Sequence, residues 1–211
     1  MKALLTAMLV TVLCGTTALA FDVDHYVRLG AGAALRHDTK ITGKEAGTAE
    51  FQTGYCVEGA FGFKFDWSRV EIAVGYQYND GHKFESDDGQ VWHQGDGGYK
   101  EYTSIQPNMV NGYLEGNWKR FRPYAMAGLG IANVEWKKTY EGHDFNAITD
   151  WVFAWQVGLG IGMQITEYFV LDLGYRYLAT SDVKGFIVEG TTDNAFTVAT
   201  SNILFSVIYQ F

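Results

Sequence analysis

The sequence predicts an all-β chain, an eight-stranded antiparallel up-and-down transmembrane β-barrel with short periplasmic turns and long extracellular loops. Three observations predict it. Strict period-two alternation runs through most of the chain, the polarity of the two strand faces is the reverse of a soluble protein's, and short connections alternate with long ones.

The clearest alternation lies between Trp151 and Tyr177. From Trp151 to Ile165 every odd position is large and apolar (Trp151, Phe153, Trp155, Val157, Leu159, Ile161, Met163, Ile165). Most of the even positions are small or polar (Ala154, Gln156, Gly158, Gly160, Gly162, Gln164). Thr166, Glu167 and Tyr168 break the run, and Phe169, Leu171, Leu173, Tyr175 and Tyr177 then alternate with Val170, Asp172, Gly174, Arg176 and Leu178. A face of Gly, Ala and Gln with one acid and one base makes a poor solvent surface, and the opposite face carries too many aromatics for a small core. Both faces are satisfied if the apolar one meets lipid and the small polar one lines the crowded inside of a closed barrel.

The remaining strands carry the same inversion. Tyr26–His37 sets Val27, Leu29, Ala31, Ala33 and Leu35 against Arg28, Gly30, Gly32, Ala34 and Arg36. After a polar stretch, 38–52, Thr53–Phe65 alternates Tyr55, Val57, Phe61 and Phe63 with Cys56, Glu58, Ala60 and Lys64. Asp66, Trp67 and Ser68 turn into a third strand with Val70, Ile72, Val74, Tyr76 and Tyr78 outward and Glu71 inward. Asp80–Pro107, rich in Gly, Asp, His and Gln, reads as the longest irregular loop. Met109–Trp118 is a fourth strand whose lipid face is thinned by Gly112 and Gly116, with Asn111, Tyr113 and Glu115 inward. Arg122–Trp136 is the fifth, with Ala125, Ala127, Leu129 and Ile131 toward lipid. Tyr140–Asp150 reads as a loop, Ala179–Asn194 as the last one, and Phe196–Phe211 as the closing strand. Aromatics at both strand ends form two belts, Phe65, Trp67, Trp118, Phe121, Tyr168, Phe169 and Phe211 at the turn end and Tyr55, Tyr76, Tyr78, Trp151, Phe153, Tyr177 and Phe196 at the loop end.

Lys2, the apolar run Leu4–Leu13 and Ala18, Leu19 and Ala20 predict a cleaved export signal over 1–20, followed by a single barrel domain over 21–211. Leu13 before Cys14 disfavours lipid attachment. Removing 20 of the 211 residues leaves 191 and takes the formal charge from −8 to −9, an acidic balance that argues against a nucleic-acid partner. Only Cys56 then remains, so stability must come from a closed hydrogen-bonded ladder and not from a disulfide.

The inward charges are Arg28, Arg36, Lys64 and Arg176 against Glu58, Glu71, Glu115 and Asp172. An equal tally in a narrow lumen is what paired, buried charges require. A barrel of eight strands leaves room for side chains only, so the expectation is a plugged lumen with a structural charge network and no sizeable pore. Gly158, Gly160 and Gly162 lack the spacing and context of a nucleotide loop and make room for larger inward groups opposite. No metalloprotease or serine-hydrolase pattern occurs, and Ser68, Ser201 and Ser206 have no histidine at a predictable neighbouring position. The expectation is no enzyme, no catalytic residue and no cofactor. Asp80, His82, Glu85, Asp87, Asp88, His93 and Asp96 could take up a divalent cation, though an acidic solvated loop is the simpler reading.

The stretches Arg122–Gly130 (RPYAMAGLG), Phe153–Gly162 (FAWQVGLGIG) and Ile165–Leu178 (ITEYFVLDLGYRYL) resemble the opacity-type surface antigens and related small eight-stranded outer-membrane barrels of Gram-negative bacteria. The ending Val207–Phe211 (VIYQF), with Tyr209 and Phe211, looks like the assembly signal read by the barrel-insertion machinery. The resemblance implies an outer-membrane address with lipid and that machinery as partners. It further implies a surface role: adhesion through the loops to a host or matrix ligand, or support of the envelope. A narrow porin-like path for small solutes or ions, and a lipid-modifying enzyme, are the alternatives.

Overall fold

A strand in hydrocarbon must find a partner for every backbone N–H and C=O, and a closed ring is the arrangement that leaves no edge. The computed structural model describes residues 24–41, 47–87, 89–140, 143–185 and 194–211, and in it the ring is closed. Its strands are β1 (Asp24–Arg36), β2 (Gly54–Lys64), β3 (Ser68–Ser86), β4 (Lys100–Glu115), β5 (Phe121–Tyr140), β6 (His143–Gln164), β7 (Phe169–Thr180) and β8 (Ala199–Gln210). Each pairs antiparallel with the next, and β8 returns to β1 in unbroken register from Tyr26↔Gln210 to Arg36↔Thr200. Reciprocal backbone bonds between His25 and Phe211, 3.1 and 2.9 Å, tie the turn end of that seam. The expected export signal lies outside the described residues.

The inverted polarity holds across the membrane-spanning part. Leu29, Ile72, Leu129, Leu159, Leu173 and Phe205 are exposed on the outer wall, while Arg28, Glu71, Asn111, Asp172 and Arg176 are buried inside. Three connections at one end are tight, 65–67, 116–120 and 165–168; in the second, reciprocal Trp118–Phe121 backbone bonds close the turn and Lys119 takes φ 60°.

At the other end the structure corrects the loop assignments. The stretch Asp80–Pro107 is mostly strand, since β3 continues to Ser86, β4 begins at Lys100, and Val91–His93 adds to the β3 edge. Tyr140–Asp150 is likewise no long loop: β5 runs to Tyr140 and β6 starts at His143. A membrane-crossing strand needs about 9–11 residues, whereas β6 has 22 and β5 has 20, so both overshoot the bilayer. Polar composition hid them because above the membrane the outer face meets water. There Asn133, Glu135 and Lys137 point outward while Ala132, Val134 and Trp136 are buried inward, so the usual soluble polarity returns without any change of phase.

The result is a crown on one side of the ring. Ile105, Val134, Trp136 and Tyr99 pack with Phe84 from β3, with Ile41 and Ala49 from a small hairpin (Thr39–Ile41, Gly47–Phe51), and with Val183, Phe196 and Val198 from the β7–β8 connection. Phe196 is therefore no belt residue. It is buried edge-on against Trp136, ring centroids 5.1 Å apart. The last strand also starts later than the alternation predicts, at Ala199.

Candidate functional site

Three places bring chemically active side chains together: the lumen, the crown and the rim where β7, β8 and β1 end.

In the lumen Glu71 is the hub. Its carboxylate accepts from Arg28 Nη2 at 2.6 Å and Nε at 3.2 Å, from the Tyr113 hydroxyl at 2.6 Å, from Tyr26 at 2.9 Å and from Asn111 at 3.0 Å. Arg28 also pairs with Glu58, which takes a second guanidinium from Arg176 at 2.6 Å. Gln156 completes the layer by donating to Asn111 at 2.6 Å. These residues come from β1, β2, β3, β4, β6 and β7, so the cluster bridges the barrel cross-section.

The other inward charges lie elsewhere. Glu115 pairs with Arg69 at 2.9 Å toward the turn end, and the Arg69 guanidinium stacks over Tyr113 at 4.0 Å. Asp172 is buried but accepts from the Tyr124 hydroxyl at 3.1 Å and makes no ion pair among the described residues. Lys64 is half-buried near the turn end, and Arg36 sits at the opposite end over the Phe51 ring at 3.7 Å, donating to Thr39 at 3.4 Å. Arg69 was absent from the inward tally, although it follows the Ser68 turn in phase with Glu71 and alternation alone points it inward.

Space around the cluster is small. A void of ≈ 10 Å³ lies on the turn side among Arg69, Glu115, Tyr124 and Asp172, and one of ≈ 20 Å³ on the crown side among Cys56, Glu58, Gln77 and Arg176. Each holds about one water.

In the crown, Glu101 is buried among apolar groups and is held by Tyr99 at 2.7 Å and Trp136 Nε1 at 2.5 Å. On the outside Lys83 Nζ meets Glu85 at 2.8 Å; this hydrogen bond raises the amine and lowers the carboxyl from their ordinary values. Asp88 lies outside the described residues. Among those that are described, no three His, Cys, Asp or Glu groups gather in a way that could hold a metal ion.

At that rim a histidine does stand beside a serine. His37 Nε2 is 3.0 Å from Ser201 Oγ, and the Tyr175 hydroxyl is 2.9 Å from the same oxygen. The partners are 164 positions apart, and only closure of β8 on β1 brings them together.

A family model described as outer membrane protein beta-barrel domain matches residues 6–211. The chain is similar to outer membrane protein PagN of Salmonella typhimurium, 31% identical over 124 residues, covering 53% of this chain and 52% of PagN; it thus matches about half of that relative's length. It is 27% identical over 191 residues to a putative adhesin of Rickettsia canadensis, covering 86% of this chain and 84% of that one. Of the solved structures, OprG from Pseudomonas aeruginosa shares the fold with a TM-score of 0.56 at 13% identity, over 90% of this chain and 97% of OprG. With the closed ring and the inverted faces, these matches make the protein a Gram-negative outer-membrane barrel, and the chain belongs to the outer membrane protein beta-barrel domain family.

Proposed function

We propose that the protein is a surface barrel that acts by contact: its crown meets a host, matrix or neighbouring-cell ligand, and the membrane part is its mount. The observation that carries this reading is the crown's own apolar core, which fixes strand extensions from β3 to β6 as a raised platform with a polar exterior. A platform ordered in advance loses little conformational entropy when a partner docks, which favours recognition. The likeness to a putative adhesin over most of both chains supports the same direction.

In this reading Arg28, Glu58, Glu71 and Arg176 form a structural plug, with Glu115, Asp172, Lys64 and Arg36 serving the same end above and below it. Tyr209 and Phe211, exposed on the outer wall, serve as the C-terminal assembly signal toward the insertion machinery, and outer-membrane lipid covers the apolar band.

The test is a binding screen of intact bacteria with and without the protein against host cells and immobilised matrix. Cells carrying it should bind at least one surface more strongly, and replacing residues 89–98 at the crown's tip with a short Gly-Ser linker should reduce that binding while the barrel remains folded. Equal binding with and without the protein defeats the reading.

A further inference from the structure

Ser201 occupies an unusual place for a hydroxyl. On β8 the outward row reads Tyr209, Val207, Phe205 and Ile203, all exposed to the lipid side, and Ser201 is the next outward residue, itself covered by its neighbours and only 8% exposed. From Phe211 to Ser201 is ten residues, and at roughly 3.3 Å each on a strand tilted by about 40° this rises about 25 Å, the height of the apolar band. Ser201 therefore stands where hydrocarbon gives way to headgroups, the depth at which the acyl esters of membrane lipids lie.

Its surroundings suit ester chemistry. The His37 backbone is fixed by its N–H bond to the Ala199 carbonyl at 3.0 Å, and its ring lies against Tyr177 at 5.8 Å, with the other side exposed. A serine within hydrogen-bond reach of an imidazole is the pairing that activates a hydroxyl for acyl transfer. The Tyr175 hydroxyl shares a hydrogen bond with Oγ at 2.9 Å, which sets it next to the reacting carbon as a group able to donate to the ester's carbonyl oxygen when negative charge develops there. The strands β7, β8 and β1 end at this rim, and the segments that follow β1 and β7 pack into the crown beside it.

We propose that Ser201, His37 and Tyr175 form an acyl-ester hydrolase site on the lipid-facing wall at its outer-leaflet edge, an activity beyond the contact role and independent of it. Ser201 Oγ attacks the ester carbonyl carbon as its proton passes to His37 Nε2. The carbon–oxygen bond to the lipid alcohol breaks, His37 returns the proton to the departing oxygen, and the lysolipid leaves. Water then attacks the acyl-serine with His37 taking its proton, which releases the fatty acid and restores the hydroxyl.

The experiment uses the full barrel refolded into vesicles of phosphatidylethanolamine, and separately into vesicles containing lipopolysaccharide. A fluorescent fluorophosphonate and mass spectrometry of released fatty acid are the readouts. Expected are an adduct on Ser201 and fatty-acid release in at least one vesicle type, both lost in Ser201→Ala and reduced at least ten-fold in His37→Ala. Tyr175→Phe should slow release while keeping the adduct. Heat-modifiable gel mobility establishes that each variant is folded. Absence of the adduct, or release equal to that of folded Ser201→Ala in both vesicle types, overturns the proposal; labelling without lipid turnover overturns it as well.

Discussion

Arg28 on β1 and Glu71 on β3 grip each other across β2, Nη2 to Oε1 at 2.6 Å and Nε to Oε2 at 3.2 Å. Two parallel charge-assisted bonds fix orientation as well as distance. Because Tyr26, Asn111 and Tyr113 donate to the same carboxylate, Glu71 fixes three further side chains, one on β1 and two on β4.

Glu71→Ala leaves the buried Arg28 guanidinium with Glu58 alone and takes the acceptor from Tyr26, Asn111 and Tyr113, and breaking a buried pair from one side costs about 3–5 kcal/mol. Asp172→Asn, by contrast, keeps an oxygen for the Tyr124 hydroxyl and breaks no ion pair, so its cost should stay near about 1 kcal/mol. Urea unfolding in detergent micelles, followed by tryptophan fluorescence and gel mobility, measures both. Equal losses in the two variants would mean that ion pairing is not what holds the lumen.

Tyr124 fits inside because its neighbours are glycines. A Cβ on Gly160 would lie 2.5 Å from Tyr124 Cζ and 2.6 Å from the Leu173 carbonyl oxygen, whereas one on Gly112, which faces lipid, would meet nothing nearer than the Ala127 carbonyl at 4.0 Å. Gly160→Ala should therefore destabilise by about 1–3 kcal/mol through overpacking, and Gly112→Ala should fall within about 0.5 kcal/mol of the parent. The same unfolding curves decide it, and the order of the two is the result that matters.

With voids on either side of the central cluster large enough only for single waters, the purified barrel should give no steady conductance of porin size in planar bilayers. Long-lived open steps at neutral pH would contradict the packed lumen.

Trp136 joins the crown's apolar cluster to Glu101. Trp136→Ala should cost about 3–5 kcal/mol locally and make the crown sensitive to limited proteolysis, with cuts confined to residues above the membrane. The embedded part should still run as a heat-modifiable band. Loss of that band would show that crown and barrel unfold as one unit.

Removal of Phe211 takes away the backbone group that bonds His25 at the turn end of the seam along with the terminal ring. The yield of assembled protein in the outer membrane should fall several-fold while export is unaffected, and quantitative blotting of membrane fractions reads it. Unchanged yield would relieve Tyr209 and Phe211 of any assembly role.

The sequence by itself determined the ring, the side of each strand that meets lipid and the compartment, because period two and side-chain size are local properties that every residue reports. It also marked Arg28, Glu58, Glu71 and Arg176 as inward, since they share a phase with glycine and alanine. Which of them would touch, it could not tell: contacts across a lumen depend on the stagger between strands, set only when β8 closes on β1. The crown stayed hidden for a related reason. Above the bilayer the solvent of the outer face changes, so Val134 and Trp136 follow the opposite polarity rule from Tyr124 and Gly128 on the same face of the same strand. The meeting of His37 with Ser201 is likewise a product of closure, which sets side by side two residues near opposite ends of the chain.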